Sequence, residues 1–266
     1  MPADTASDRA LGAAQIEQFI TDGYVRLDDA FPRPLAEAVR TRLWRDMALD
    51  PDDPAGWTQS VVRLGIYSEA PFVDAANTAR LHDAFDQLAG PGRWLPCGAM
   101  GTFPIRFPSP DDPGDTGWHV DMSFGWESPD FLDWRINVAS RGRALLMLFL
   151  FSDIGEDDAP TRLRVGSHSD VARALAPAGE AGLSLRELMA SDFGGSASRP
   201  QVAAVGAAGT VYLCHPFLVH AAQAHRGHRP RFLAQPPLLP ARPLRLDGPV
   251  EDTAPIETAI VRALSG

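Results

Sequence analysis

The sequence is short of positive charge, has only two cysteines and contains no long apolar run; each shortage removes a class of function. Acidic residues outnumber basic ones 34 to 24, for a formal net charge of −10 and a pI near 5.1. Nucleic acid and anionic membranes attract the opposite sign, so neither is an expected partner. Overall acidity does not exclude an anionic substrate, because a few buried arginines reverse the field locally. Cys97 and Cys214 are too few to build a cysteine-rich zinc site or a four-thiolate iron–sulfur cluster. Met1–Gln15 is polar and acidic, with no apolar run of the signal-peptide kind. The longest apolar run, Ala144–Phe151, is far shorter than the roughly 20 residues a spanning helix needs. A soluble cytoplasmic protein is the expectation. No G-x-S-x-G elbow, Walker loop or G-x-G-x-x-G is present. Asp192-Phe193-Gly194 spells a kinase triplet, but its H-R-D and glycine-rich loop are missing, so the match is coincidence.

With 266 residues, 45% of them hydrophobic, the chain is ample for a real core. Its front third reads helical. Ile16, Phe19 and Ile20 share one helix face that Gly23 ends, and Tyr24–Leu27 then alternates like a strand. Pro34 opens a second helix with Leu35, Val39 and Leu43 in line. Asn77–Leu88 reads as a third, with Gly90 just past its end. From about Trp94 short strands follow at Thr102–Phe107, Arg135–Val138, Ala144–Phe151, Arg162–Val165, Thr210–Cys214 and Arg231–Gln235. Ala144–Phe151 is apolar throughout and reads as buried on both faces. A helix near Leu185–Met189 interrupts this series, within a small-residue stretch, Ala174–Ser198, that suggests a long loop or lid. Pro255–Leu264 suggests a surface helix capped by Thr253. Regularly spaced short strands suggest a sandwich or barrel. No repeat and no linker divides the chain. The expectation is a single domain over 1–266, with mostly helical support in 1–93, a β body in 94–240 and a tail with a helix in 241–266.

Seven histidines are present, and His119 is the informative one. In Gly117-Trp118-His119-Val120-Asp121 the imidazole and carboxylate are two apart, so a strand points both to one side, where they can share an ion. A second histidine from a distant strand would complete three ligands on one face and leave open positions, the 2-His-1-carboxylate pattern of iron(II) oxygenases. Alone, H-x-D occurs by chance in many chains, and an ordinary hydrogen-bonded pair is the plainer reading. A second segment, Gly209–Ala222, is an apolar strand ending in histidine. It holds both His215 and His220, five apart and on opposite faces of an ideal strand, a parity that Pro216 can disturb. Eleven residues beyond His220 stands Arg231, a residue type suited to a bidentate grip on a carboxylate.

Taken in order, these segments resemble the phytanoyl-CoA dioxygenase-like family of 2-oxoglutarate oxygenases. The family pairs H-x-D with a later G-x-x-x-x-x-H-x-x-x-x-H strand and an arginine eleven residues on. Phe19-Ile20-Thr21-Asp22-Gly23-Tyr24-Val25 is similar to its F-x-x-D-G-Y-V, and Gly166-Ser167-His168 to its P-G-S-H turn. The resemblance implies a mainly β fold with helical support: a double-stranded β-helix, or jelly-roll, cupin-like core over 94–240. It implies His119, Asp121 and His220 as ligands of Fe(II), and so selects His220 over His215. It implies Arg231 on the far carboxylate of 2-oxoglutarate, with Asn137 and Thr102 as further cosubstrate contacts. O2 is the remaining reactant. Halogenases among the relatives lack the carboxylate, so Asp121 implies hydroxylation of a small-molecule metabolite with release of succinate and CO2. The family name is not a guide to that metabolite. Val165, Ala159-Pro160 and Ala222 depart from the usual proline, asparagine-glycine and serine. The first two affect a turn; the third removes a minor cosubstrate hydrogen bond.

Other residues carry weaker expectations. Thr102, Pro104 and Arg106 share one strand face, from which Arg106 would reach a substrate carboxylate or phosphate, unless it forms an ordinary ion pair. Among Trp118, Trp126 and Trp134, Trp126 is the candidate for the substrate pocket wall. His168 reads as structural within a turn, His225 and His228 as solvated, and His82 as surface or packing. A cupin-like isomerase or hydrolase would use the same metal ligands but has no need of Arg231. A non-catalytic binding protein of the same fold has no need of the whole set.

Overall fold

The computed structural model describes residues 9–248 and 252–266. The polar N-terminal stretch noted above therefore lies partly, over residues 1–8, outside the described residues. The front of the chain runs α1 (Ala13–Asp22), β1 (Tyr24–Leu27), α2 (Arg33–Met47), β2 (Val61–Leu64), α3 (Ala70–Ala76) and α4 (Ala79–Ala89). The body follows with β3 (Trp94–Leu95), β4 (Phe103–Arg106), β5 (Arg135–Ile136), β6 (Leu145–Leu150), β7 (Arg162–Arg164) and α5 (Ser167–Leu175). It continues through β8 (Leu183–Ser184), α6 (Leu185–Ala190), the single turn α7 (Asp192–Gly195), β9 (Gln201–Ala203), β10 (Val211–Cys214) and β11 (His220–Ala221). β12 (Leu233–Ala234), β13 (Pro237–Pro240) and α8 (Pro255–Ser265) complete it. Among the described residues helices hold more residues than strands, so "mainly β" suits the body around the site better than the whole chain.

All the strand pairs are antiparallel. The larger sheet runs β1-β10-β6-β13-β3, and β12 adds to β6 alongside β13. The smaller runs β11-β7-β9. β6 is buried along its whole length, as its apolar run dictates, and its two faces serve different cores. Met147, Phe149 and Phe151 meet Phe19, Phe31 and Phe85 on the helical side. Leu146, Leu148 and Leu150 meet Leu163, Leu218 and Leu233, drawn from the larger sheet, the smaller sheet and the segment leading into His220. Each such side chain contributes about 1.5–3 kcal/mol by leaving water. The period-2 geometry of a strand is what allows one apolar run to feed both cores.

The motifs at the front and centre of the sequence meet in one place. Gly23 ends α1 in the left-handed region, at φ 83°, with its N–H on the Phe19 carbonyl. The carbonyls beside it are then used in turn. Ile20 O accepts from His168 Nε2 at 3.0 Å. Asp22 O accepts from Gly166 N at 2.8 Å, and Gly23 O from His215 N at 2.8 Å. A Cβ on Gly23 would collide with the His168 ring. His168 is therefore structural, but it sits in the first turn of a helix, α5, that the sequence reading took for a turn.

Other differences have plain causes. The helix expected over Asn77–Leu88 is α4, and a further helix, α3, precedes it and is ended by Asn77, whose Nδ2 donates to Val73 O and to Cys97 O. Thr78 then caps α4 by accepting from Leu81 N at 3.2 Å. Ala174–Ser198 is not a long loop: it holds the end of α5, then β8, α6 and α7, and Ser184 caps α6. α8 is not a surface helix, since Ile256, Ile260 and Ala263 are buried. Its cap position is Ala254 rather than Thr253, with Glu257 accepting from Ala254 N at 2.9 Å. Glu257 also takes both Nη groups of Arg93, at 2.9 and 2.5 Å. Among the described residues no helix is long and apolar enough to cross a membrane.

Candidate metal centre

His119 and His220 are far apart in sequence but form an antiparallel bridge. His119 N donates to His220 O at 2.9 Å, and His220 N returns the bond to His119 O at 3.0 Å. This pairing puts their rings on one face with centroids 4.2 Å apart. Asp121, two residues on from His119, brings Oδ1 to 3.8 Å from His220 Nε2. One donor atom from each of His119, Asp121 and His220 lies within 4.8 Å of the others. Trp118, just before the motif, lies against the guanidiniums of Arg162 and Arg164 and so packs the segment onto β7.

The protonation pattern suits a metal. Nδ1 of His119 pairs with Gly117 O at 3.0 Å, and Nδ1 of His220 with Leu218 O at 3.0 Å. A carbonyl only accepts, so each Nδ1 carries the proton and each Nε2 presents its lone pair. Burial, reinforced by the neighbouring His119, lowers the His220 pKa and keeps its ring neutral at pH 7. Burial works to raise the Asp121 pKa, but Arg143, His220 and His119 outweigh it and hold the carboxyl below its ordinary value. Arg143 Nη1 stands 3.2 Å from Asp121 Oδ2, on the oxygen that does not face His220. Two imidazoles and one ionised carboxylate on one face fit an octahedral divalent ion with positions to spare, as iron(II) oxygenases require.

A cavity of about 250 Å³ is lined by the two histidines and by Arg106 and Arg231. Thr102, Thr161, Ala222 and Gln235 form part of its wall. Arg106 and Arg231 are 2% and 1% exposed, so neither is a surface cation. Arg231 donates Nη1 to Ala159 O at 2.6 Å and Nη2 to Pro104 O at 2.8 Å, while its Nε has no partner. Burial, with Arg106 beside it, pushes its pKa down to about 9, which leaves it cationic at neutral pH. Arg106 pairs through Nη2 with Asp115 Oδ1 at 2.6 Å, and its Nε and Nη1 have no partner. Asp115 also pairs with Arg63 at the rim. Burial works to raise the Asp115 pKa, but Arg106 and Arg63 hold it below the usual value.

The structure thus gathers His119, Asp121, His220, Arg231, Thr102 and Arg106, and leaves two expected residues elsewhere. Asn137 is buried and donates Nδ2 to Glu180 O at 3.2 Å, but it is not among the residues lining the cavity. Trp126 is 54% exposed, rests edge-on against Trp134 at 4.6 Å and does not line it either. His215 points away from the site: its Nε2 meets Ile256 O at 3.2 Å, and its ring lies 5.0 Å from that of His168. His225, expected to be solvated, is buried, with Nε2 on Arg229 O at 2.8 Å, whereas His228 is exposed. His82 is half-buried against Asn77. The sequence reading missed Arg143 and Asp115, because neither belongs to a motif and only the folded loops bring them to the site.

The sequence pattern that defines the phytanoyl-CoA dioxygenase family matches residues 21–233. The chain belongs to this family. The match runs from the end of α1 to β12 and so takes in both histidines, Asp121 and both buried arginines. No curated protein matches the sequence. Three solved structures share the fold of this family member at low identity. HygX from Streptomyces hygroscopicus, with nickel and 2-oxoglutarate bound, is 20% identical with a TM-score of 0.54, over 85% of this chain and 86% of its own. EctD from S. alaskensis, with 2-oxoglutarate and 5-hydroxyectoine, is 21% identical with a TM-score of 0.56, over 94% and 84%. The non-heme alpha-ketoglutarate-dependent carbocyclase SnoK of nogalamycin biosynthesis is 16% identical with a TM-score of 0.58, over 95% and 92%.

Proposed function

We propose that the protein is an Fe(II)- and 2-oxoglutarate-dependent dioxygenase that hydroxylates a small-molecule metabolite. The observation that carries this reading is that His119 and His220, which with Asp121 form the metal-ligating group, line the same cavity as two buried arginines. The metal triad alone would also suit a cupin-like isomerase or hydrolase. A cavity lined by both metal ligands and guanidiniums suits a cosubstrate with a chelating keto acid at one end and a carboxylate at the other. The larger and smaller sheets, packed through the leucines of β6, are read as the two halves of a double-stranded β-helix. The whole chain is taken as one catalytic unit, because α8 packs on α1, α4 and α5 from beyond the matched segment.

When bound, iron(II) with 2-oxoglutarate and O2 supplies the oxidising chemistry, which releases succinate and CO2. The protein's own residues supply position. The carbonyls of Gly117 and Leu218 hold both imidazoles with Nε2 forward. Arg143 forms an ion pair with one oxygen of Asp121, and the other oxygen faces His220. Arg231 fixes the cosubstrate's far carboxylate, and the apolar residues flanking the ligands, Val120, Val219 and Ala221, are buried and exclude water. Asp121 keeps a carboxylate where halogenases lack one, which supports oxygen transfer as the outcome. Purified protein with iron(II), ascorbate and 2-oxoglutarate should form succinate slowly even without substrate. Absence of metal-dependent succinate under all substrates offered, with iron bound, would favour the non-catalytic alternative.

A further inference from the structure

We infer that the substrate carries an anionic group, a carboxylate or a phosphate, and that Arg106 binds it; this rests on the function proposed above. The cavity beside the metal histidines is lined by three guanidiniums, those of Arg63, Arg106 and Arg231, against the single carboxylate of Asp115. The cosubstrate would bring one carboxylate to the metal and one to Arg231. Asp115 answers a second guanidinium. One positive charge is left over, and an uncompensated charge in a largely buried site is costly. A cosubstrate with one far carboxylate does not balance the wall, whereas an acidic substrate does.

The surplus lies at Arg106. Arg106 and Arg231 are cross-strand partners, with Arg231 N on Arg106 O at 2.8 Å and Arg106 N on Arg231 O at 3.1 Å, so their side chains leave the ladder on the same face. They then meet different surroundings. Arg231 donates to two main-chain carbonyls, Ala159 O and Pro104 O. Arg106 donates to Asp115, which also pairs with Arg63, and the side chains of Asp115 and Arg63 are 28% and 56% exposed. The series Arg106, Asp115, Arg63 therefore leads from the buried wall to solvent, the side from which a substrate enters. Nε and Nη1 of Arg106 have no partner although the residue is 2% exposed. A buried charged donor without a partner is costly, so these two mark where acceptor oxygens belong. The substrate class that fits is a small acid or phosphate ester rather than a neutral hydrocarbon or sugar.

The test is calorimetric titration of the nickel(II)-loaded protein saturated with 2-oxoglutarate, which needs no turnover. The probes are propionate, methylphosphonate and propionamide, the last a neutral analogue of the first. Wild type should bind at least one of the two anions about 10-fold or more tightly than propionamide, and the better anion tells a carboxylate substrate from a phosphate one. Arg106→Met should remove this preference while the nickel protein still binds 2-oxoglutarate. If Arg106→Met does not fold, Arg106→Gln, which keeps a donor for Asp115, carries the same test. A wild type without the preference overturns the inference. So does a preference that survives in the Arg106 variants, which would place the anion on the nickel, and so does loss of 2-oxoglutarate binding in those variants, which would give Arg106 to the cosubstrate. A nickel-loaded wild type that binds no 2-oxoglutarate overturns the functional reading itself.

Discussion

At the scale of single residues, the metal triad is held by its neighbours as much as by its own chain. Arg143 is the clearest case, because it touches the Asp121 oxygen turned away from His220. Removing such a partner from a ligand commonly weakens metal binding about 10- to 100-fold. Arg143→Gln is therefore expected to raise the iron(II) dissociation constant by that factor, measured by competition with a chromogenic chelator, while the fold is retained by circular dichroism. An unchanged constant would show that Asp121 needs no such support. The two histidines of the distal segment should also separate. His220→Ala is expected to abolish iron(II) binding. His215→Ala leaves it intact and costs about 1–3 kcal/mol of stability, because His215 accepts from Phe217 N and meets Ile256 O inside the core. Urea denaturation alongside metal titration distinguishes the two.

At the scale of elements, the junction of α1, α5 and the segment entering β10 explains why two distant motifs belong together. Gly23 is there because its φ of 83° suits no side chain and because His168 fills the space a Cβ would need. Gly23→Ala is expected to destabilise the protein by about 2 kcal/mol or more, read as a lowered urea midpoint with an unchanged slope. His168 makes the same junction sensitive to acid. Burial lowers its pKa from 6.5 to about 4, with the Asp170 carboxylate, itself paired to Arg173 and Arg199, opposing that shift. Above pH 6.5 folded and unfolded chains are both neutral at this residue. As pH falls from 6.5 toward 4 the unfolded chain takes a proton that the folded one refuses, so stability declines by about 3 kcal/mol, with no further loss from this group below 4. His215 adds in the same direction. His168→Gln keeps a donor for Ile20 O and should flatten the decline between pH 6.5 and 4, measured by thermal unfolding; an equally steep decline would assign the acid sensitivity elsewhere.

Element by element, legibility followed locality. α1, β1, α2, β6 and β10 were readable because each carries its period and its stop signal within a few residues, as Gly23 and Pro34 do. β9 was not, because its three residues become a strand only through β7, and the single strand read over Gly209–Ala222 divides into β10 and β11, which lie in different sheets. The same rule divides the site. His119 and Asp121 share a face by local strand geometry, and His220 was selected by spacing that the family pattern recognises. Arg143, Asp115 and the burial of His225 depend on loop paths that no local period encodes. Asn137 and Trp126 were expected at the cavity by position in the chain, and the fold turns them elsewhere.

At the scale of the whole molecule, a net charge of −10 surrounds a site lined by arginine. The contrast is consistent with an anionic cosubstrate drawn into a local positive field within an otherwise acidic surface. The chain covers 86%, 84% and 92% of HygX, EctD and SnoK and shares their fold. In the proposed enzyme His119, Asp121 and His220 hold iron(II) beside 2-oxoglutarate. This arrangement is tested most directly by adding 2-oxoglutarate to the iron(II)-loaded protein without oxygen and recording the visible spectrum. Chelation of ferrous iron by a 2-keto acid gives a charge-transfer absorption in the visible range. This band is expected in wild type and in His215→Ala, and its loss in His119→Ala and His220→Ala. A wild type that gives no band, or a band that survives in His220→Ala, would contradict this arrangement.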